Sequence, residues 1–243
     1  MEKDEWSKQI CQMHRIEPKL NIIKILHDNF IQNAKDLEKL DLQEFENKQT
    51  LRMNIALQIL SLTFELTEDL AAICFSYNEA IENKNKNVPE YLRDFGDPHK
   101  GANVGKPNEF YEKVSNEIKY ASLMVGLDPV KDLQKVLAFI SYFNYFKDFR
   151  IKYDDWYQGY KHGQRTLGLY VWPIAAKADK DNIKFIVYRI PQKFENIDKT
   201  IFVRSDFIDV ITEEEKIYQI AVDSTRAYSE IVSRQYKKVF ETV

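Results

Sequence analysis

The feature that most constrains how this chain can fold is a long run of regularly spaced apolar residues between positions 51 and 81. Its members are Leu51, Ile55, Ile59, Leu62, Leu66, Leu70, Ile73, Tyr77 and Ile81. Their steps average about 3.75 residues, close to the 3.67 of an 11-residue repeat in a nearly straight helix. A parallel row widens the apolar face and consists of Met53, Leu57, Leu60, Phe64, Ala71 and Phe75. A helix with so wide an apolar face is expected at the centre of a helical bundle.

A second very long helix is predicted from Asp128 to Gly163. Asp128-Pro129 is typical of a helix start, because an acidic N-cap is followed by proline at the first helical position. The helix carries aromatic residues at alternating steps of three and four, namely Phe139, Tyr142, Phe146, Phe149, Tyr153, Trp156 and Tyr160. We interpret this aromatic seam as core or as a helix–helix interface. A base-stacking platform would require the rings to be exposed, which soluble monomers avoid.

Weaker patterns predict three further helices, at residues 5–14, 18–37 and 109–127. The segment 84–108 contains six of the fourteen proline and glycine residues in the chain. It is predicted to be one long irregular connection with a helical turn at residues 90–94. A final helix is predicted to begin at Thr212, because Thr212-Glu213-Glu214-Glu215 matches a capping box.

The hydrophobic period changes after Gly163 and predicts β-structure. The segments rich in β-branched and aromatic residues are 167–172, 183–190 and 200–204. A polar stretch at residues 179–182 joins the first two segments in the manner of a hairpin. We therefore expect a small antiparallel sheet of two or three strands, confined to residues 166–204.

Length and pattern together predict the domain organisation. A chain of 243 residues can form one well-buried domain or two small ones. We predict a single domain over residues 1–243, with a helical body at 1–165 and 212–243 and a β insertion at 166–211. The fold class is mainly α: a helical bundle with two very long helices and a β-hairpin or three-stranded sheet before the last helix.

Composition excludes several classes of protein. The net charge of −3 provides no global basic field of the kind that nucleic-acid and membrane-surface proteins carry. The charged N-terminus, residues 1–6, is not a secretory signal, and no apolar stretch approaches the roughly 18 residues of a membrane span. Cys11 and Cys74 are interpreted as reduced, buried thiols. We expect a cytoplasmic protein with no membrane partner.

The sequence contains no motif for a familiar cofactor or metal. Gly101 to Pro107 departs from a phosphate-binding loop, because three residues rather than four separate its glycines and Pro107 replaces the magnesium-binding hydroxyl. No histidine follows an acidic residue by three positions, so the Glu-x-x-His repeat of di-iron bundles is missing. Nothing around His14 suggests chemistry, and His27, on the apolar stripe between Ile23 and Phe30, is predicted to be a satisfied core histidine. We expect no cofactor and no metal.

Arg93 and His99 are the first pair of candidate catalytic residues. They bracket the string Arg93-Asp94-Phe95-Gly96-Asp97-Pro98-His99, which resembles the Arg-x(4–6)-His signature of the HEPN family. Members of that family are helical-bundle proteins, and many are metal-independent endoribonucleases. The resemblance implies that Arg93 stabilises charge developing on phosphate while His99 acts as general acid or base. The alternative is a coincidence of spacing within a loop.

His162 and Arg165 are the second pair of candidate catalytic residues. Tyr160-Lys161-His162-Gly163-Gln164-Arg165 resembles an element of uncharacterised helical proteins, some of them grouped near HEPN domains. Asp155, Gln158, His162 and Arg165 share one helical face if the helix continues past Gly159. With Lys161, they could bind phosphate or transfer a proton. The alternative is a helix C-terminus, where cations are favoured by the helix dipole and Gly163 ends the helix.

Two hypotheses of function follow. The first is an RNA-binding or metal-independent endoribonuclease of HEPN-like type, supported by a locally basic surface that would comprise Lys147, Arg150, Lys152, Lys161, Arg165, Arg226, Arg234, Lys237 and Lys238. The second is a non-catalytic protein-interaction or dimerisation module. We expect a homo-oligomer, because two long helices with wide apolar faces are more easily buried in a dimer. A ribonuclease requires its histidines on a shared basic concave surface, whereas a scaffold would present an apolar groove.

Overall fold

The structure of this chain is a computed structural model that describes residues 5, 9, 11, 16–83, 86–97, 106–161, 166–171, 184–189 and 207–240. Only the backbone is described at residues 155, 158–161, 166–171, 184–189, 207 and 208. The chain divides into two compact units. The first unit comprises Met1–Leu20, Glu65–Ile151 and Ile220–Val243, and the second comprises Asn21–Phe64 and Lys152–Gln219.

The described part of the chain is mainly helical, which confirms the predicted class. Its helices are α1 (Glu17–Gln32), α2 (Leu42–Asn83), α3 (Val88–Asp94), α4 (Pro107–Asn116), α5 (Ile118–Val125), α6 (Leu133–Lys161) and α7 (Val210–Phe240). A short 3-10 helix, Leu37–Lys39, precedes α2. The very long helices are α2, α6 and α7, with 42, 29 and 31 residues. Among the described residues, no helix is both long enough and apolar enough to cross a membrane.

Helix α2 follows the predicted apolar period over most of its length. Ile59, Leu66, Leu70 and Tyr77 are fully buried, so this part of the stripe is core. Leu51 is the exception, because 47% of its surface is exposed. The apolar period predicts on which face of the helix a residue lies. The residue is buried only where another element covers that part of the face, and Leu51 is largely uncovered.

Three predicted helix boundaries were wrong. The helix predicted for residues 109–127 is two helices, α4 and α5, separated at Glu117. The helix predicted at 18–37 ends at Gln32. The helix predicted from Asp128 is assigned only from Leu133. Asp128 nevertheless caps the turn before it as predicted, because its carboxylate accepts hydrogen bonds from the backbone N–H groups of Val130 and Lys131 and its carbonyl oxygen accepts one from the N–H of Asp132.

The start of α7 also differs from the prediction. Asp209, not Thr212, precedes the helix: its carboxylate accepts hydrogen bonds from the Thr212 backbone N–H, at 3.1 Å, and from the Thr212 hydroxyl, at 2.7 Å. The capping-box interpretation of Thr212 to Glu215 was therefore wrong. The earlier cap frees the side chains of Glu213, Glu214 and Glu215 for contacts with other elements.

Three short strands precede α7. They are β1 (Thr166–Val171), β2 (Lys184–Arg189) and β3 (Phe207–Ile208), arranged in the order β1-β2-β3 with both pairs antiparallel. The register pairs Leu167 with Tyr188 and Tyr188 with Phe207. The limit of residue 204 for β-structure was wrong, since β3 lies beyond it. The predicted strand at 200–204 and the connection at 179–182 lie outside the described residues.

Aromatic residues form the core of the first unit. Phe110 and Tyr111 of α4 pack against Phe143 of α6, and ring centroids in this cluster lie 5.3–6.3 Å apart. Phe143 and Phe146 are fully buried, and Phe149 is nearly so. The described rings of the aromatic seam are buried or half-buried, as expected for core or a helix–helix interface and not for an exposed base-stacking platform. Tyr160, the last ring of the seam, has no described side chain.

Polar side chains are also buried in the first unit. Asn78 of α2 and Gln235 of α7 are both fully buried, and Nε2 of Gln235 donates a 2.6 Å hydrogen bond to Oδ1 of Asn78. Arg150 of α6 is 3% exposed. Its guanidinium donates hydrogen bonds to Oδ1 of Asn108 and to the hydroxyl of Thr67. These specific hydrogen bonds therefore help to fix how the helices of the first unit pack against one another in an otherwise apolar core.

Candidate functional site

The structure describes only some of the sequence-predicted site residues. Arg93 lies in the last turn of α3 with its side chain exposed. Its Nε donates a 2.8 Å hydrogen bond to Oδ1 of the neighbouring Asp94, which also pairs with Lys86 at 3.0 Å. The HEPN signature is placed at a helix start, whereas Arg93 ends a helix. The positive charge of Arg93 is paired with the carboxylate of the adjacent Asp94.

The remaining candidates concern the end of α6. Asp155, Gln158 and Lys161 lie within this helix, which continues past Gly159 to Lys161, so Asp155 and Gln158 share a face as the spacing predicts. Their side chains are not described. His99, His162 and Arg165 lie outside the described residues, so their proposed roles stay predictions.

The predicted basic surface is weaker than the sequence suggests. Arg150 is buried and cannot contribute to a surface. Lys147 pairs with Glu112 at 2.6 Å, and Lys152 pairs with Glu213 at 3.0 Å. Three of the cations assigned to this surface are therefore buried or matched by a carboxylate, which reduces their attraction for a polyanion.

A groove of about 420 Å³ lies in the first unit, where the end of α5 and parts of α6 and α7 meet. Its apolar and aromatic lining consists of Val125, Leu127, Phe139, Tyr142, Ala227 and Ile231. The Tyr142 hydroxyl donates a 2.9 Å hydrogen bond to the carbonyl oxygen of Asp223 and so joins α6 to α7. These residues form an apolar floor of the kind that accepts the side chains of a partner helix.

One end of the groove is built by a glycine turn. Gly126 follows α5 with φ of 68°, in the left-handed region, and its N–H donates to carbonyl oxygens of the last turn. The N–H of Leu127 donates to the carbonyl of Ser122 at 3.0 Å, which completes a Schellman motif. The turn places Val125 and Leu127 on the groove wall.

Charged residues at the groove are mostly cationic. Lys135, Glu230 and Arg234 line it, Lys135 pairs with Asp132 at 2.8 Å, and Lys238 lies beside the α5 end. These three cations exceed the two carboxylates by one charge. Arg234 also donates to the carbonyl of Val125, and Nζ of Lys238 to the carbonyl of Leu123, both at 3.4 Å. Cations are favoured at these carbonyls because they end helix α5.

Helix α6 also presents an exposed apolar stripe on a different face. Its members are Leu133, Leu137, Tyr145 and Ile151, and each is at least 38% exposed. The spacing spreads them over roughly a third of the α6 circumference, and the ring of Tyr145 lies 6.2 Å from that of Phe146. Single exposed apolar residues are ordinary, but a stripe along one helix is typical of an interaction surface.

A group of titratable side chains lies in the second unit, where His27 of α1 meets Glu214 and Glu215 of α7. One ligand atom from each of the three residues lies within 4.8 Å of the other two. Nδ1 of His27 is 3.0 Å from Oε1 of Glu214, and Nε2 is 3.9 Å from Oε2 of Glu215. The imidazole stacks on Tyr218 with ring centroids 3.8 Å apart and an interplanar angle of 2°.

Burial and neighbouring charge determine the electrostatics of this group. Burial raises the pKa of Glu214 above its usual range, and the hydrogen bond with His27 opposes that shift without cancelling it. Arg52, whose guanidinium lies 4.3 Å from the Phe30 ring centroid, is a cation close enough to act on Glu214. Glu213 points elsewhere and accepts hydrogen bonds from Lys152 and Tyr153.

The prediction that His27 is a satisfied core histidine holds in part: the side chain is largely buried and Nδ1 is bonded to Glu214, whereas Nε2 lies 3.9 Å from Glu215. The grouping with two carboxylates was missed. His27 and Glu214 are 187 residues apart, so no local spacing connects them, and Glu214 and Glu215 were assigned to a capping box. The sequence offers two hints of this group: a histidine on an apolar stripe, and more acidic residues near a helix start than capping requires.

The comparisons with known proteins do not add a family. The chain matches no protein-family model, and neither a curated protein nor a solved structure shows significant similarity to it.

Proposed function

We propose that this protein is a non-catalytic interaction module whose first unit binds an acidic amphipathic helix of a partner protein. The observation that supports the proposal is the groove, which combines an apolar floor with a cationic edge. Helix-in-groove recognition uses apolar anchors at i, i+3, i+4 and i+7, and a groove lined by Phe139 and Ile231 suits such anchors.

Charge favours an acidic partner over a basic one. Lys135 and Arg234 line the groove, and Lys238 lies beside its α5 end, against the carboxylates of Glu230 and of Asp132, which pairs with Lys135. A helix with acidic residues beside its apolar stripe would place carboxylates near these cations. Electrostatic complementarity of this kind raises the association rate and excludes basic competitors.

Selection from a displayed library of amphipathic helical peptides tests the proposal. The library varies the charges beside a fixed apolar stripe and is selected on the full chain. We expect enriched peptides to be acidic and to bind the double variant Lys135→Glu/Arg234→Glu at least tenfold more weakly, because each reversed charge replaces attraction by repulsion. Fluorescence anisotropy of a labelled peptide provides the affinity.

A matched charge reversal is the control. Lys119→Glu alters an exposed lysine on α5 that does not line the groove, and it should leave peptide affinity unchanged. The proposal is rejected if no peptide is enriched, if basic peptides are enriched instead, or if the double variant and the control lose affinity equally.

The other hypothesis from the sequence is a HEPN-like ribonuclease, with Arg93, His99, His162 and Arg165 as its candidate residues. Its test is cleavage of single-stranded RNA in a chelator by wild type, His99→Asn and His162→Asn. A general acid or base contributes roughly 10²–10⁴ in rate, so loss of activity in one folded variant would support it. Wild-type inactivity across varied RNAs would leave the interaction module as the function.

A further inference from the structure

We propose that His27 and Glu215 bind a divalent transition-metal ion of the zinc class, with Glu214 as the residue that orients the imidazole. The site lies in the second unit and is independent of the groove. It departs from the expectation, drawn from the sequence, that the chain holds no metal. The proposal rests on the geometry of three side chains and on the chemistry of their donor atoms.

The distance between the two proposed ligand atoms suits a bridging ion. Nε2 of His27 and Oε2 of Glu215 are 3.9 Å apart, which is too long for a direct hydrogen bond. Bonds from zinc to imidazole nitrogen and to carboxylate oxygen are each about 2.0–2.2 Å, so an ion between the two atoms can reach both. A small rotation of the Glu215 side chain brings the angle at the ion towards the tetrahedral value.

Glu214 supplies the partner that metal-binding histidines ordinarily have. Its carboxylate lies 3.0 Å from Nδ1 of His27, and an ionised carboxylate can only accept a hydrogen bond, so the Nδ1 proton is directed towards it. Nε2 then carries the lone pair that a metal requires. This arrangement, in which a carboxylate orients an imidazole and the imidazole binds the ion, is a recurrent feature of zinc sites.

The ring of His27 is held in place while the site stays open to solvent. Stacking on Tyr218 restricts rotation of the imidazole, and His27 is largely buried. The Glu215 side chain is 74% exposed, so an ion can enter from that side and keep water as its further ligands. A fixed ligand beside an accessible one resembles zinc sites with open coordination positions.

The donor set selects the class of metal. An imidazole nitrogen with a carboxylate oxygen suits zinc and its neighbours in the first transition series, whereas magnesium and calcium prefer oxygen ligands alone. The local charge also favours a cation, because two carboxylates, Glu214 and Glu215, face one guanidinium, that of Arg52.

The test is metal binding by the full chain after removal of any affinity tag and treatment with chelator. Equilibrium dialysis against ZnCl₂ should show one ion per chain, and CoCl₂ should produce the visible absorption of a low-symmetry cobalt site. Glu215→Gln and His27→Gln should each remove or greatly weaken binding. Glu214→Gln should weaken it about 10- to 100-fold, which is typical when a partner of a metal ligand is lost.

Glu213→Gln is the matched control, since Glu213 lies in the same turn of α7 but bonds Lys152 and Tyr153. It should retain the affinity of the wild type. Because His27 is buried and its variant could fail to fold, Glu215→Gln decides the outcome, with folding checked by circular dichroism. Zinc should raise the melting temperature of the wild type and not that of Glu215→Gln.

Three results would overturn the proposal: no zinc bound by the wild type, full binding retained by Glu215→Gln, or equal losses in Glu213→Gln and Glu215→Gln. Retained binding would assign the ion to other histidines of the chain. Equal losses would indicate a general disturbance of the start of α7.

Discussion

The guanidinium of Arg150 donates a 2.9 Å hydrogen bond from Nη1 to the hydroxyl of Thr67, a residue 83 positions earlier in the chain. Asn108 accepts a second hydrogen bond, from Nε, and Glu68 lies 3.6 Å from Nη2. One buried arginine of α6 thus bonds residues of α2 and α4. The fork geometry of the guanidinium is required for these contacts, because a lysine ammonium cannot donate in the same directions.

Replacement of Arg150 should therefore be more damaging than replacement of an exposed arginine. Arg150→Met removes a buried side chain that donates hydrogen bonds to Thr67 and Asn108, and we expect a loss of about 1–3 kcal/mol in the free energy of unfolding. Urea denaturation followed by circular dichroism measures it. Arg226→Met is the matched control, because Arg226 is exposed and its pair with Asp223 should contribute less than about 1 kcal/mol. Similar losses in the two variants would contradict the prediction.

Two leucines of helix α2 test whether the apolar period or the actual burial determines stability. Leu66 is fully buried, whereas Leu51 is 47% exposed. Leu66→Asp buries a carboxyl without a partner at a cost of several kcal/mol, comparable with the stability of a whole domain, and should prevent folding. Leu51→Asp should leave a cooperative thermal transition. Unfolding of both variants would show that Leu51 is covered in solution.

Self-association through the exposed stripe of α6 is the third prediction. We expect the wild type to sediment as a dimer at micromolar concentration, with Leu137 near the middle of the interface. Leu137→Lys places charges in that interface and should shift the protein to monomer. Ile25→Lys, at an exposed apolar position of α1, is the control and should remain dimeric. A monomeric wild type would reject the prediction.

The two cysteines should be unreactive in the folded protein. Cys11 and Cys74 are buried, and burial raises the pKa of the Cys11 thiol to about 11. At pH 8 roughly one Cys11 in a thousand would be thiolate, and the thiolate is the reactive form. Titration with a thiol reagent should detect no fast-reacting thiol in the native protein and two in urea. Since the unfolded thiol ionises near pH 8.5, thiolate formation should lower stability as pH rises from there towards 11.

Much of the fold could be predicted, because helix periodicity is a local property of the chain. The stripe around Leu66 and the seam around Phe146 follow directly from spacing. Boundaries were less predictable, because a cap sets where a turn begins but not where the regular helix is assigned. Asp128 caps the turn at residues 129–132 as the sequence predicts, yet the helix is assigned only from Leu133.

The candidate sites were less accessible to prediction, because their residues are distant in sequence. The bond between His27 and Glu214 has no local signature, and neither does the groove formed around Phe139 and Ile231. Arg150 shows the converse error. A basic residue on a helix is usually solvated, yet here it is buried, since Thr67 and Asn108 supply acceptors that only the folded chain brings together.

The bond between Asn78 and Gln235 has a consequence for how this chain can change over evolution. Both amides are fully buried, and the Gln235 amide donates to Asn78. Replacing either one alone by an apolar residue leaves a buried polar group without its partner, whereas replacing both can be nearly neutral. In relatives of this protein, the two positions should therefore vary together, and a chain that has changed only one of them should carry a compensating change beside it.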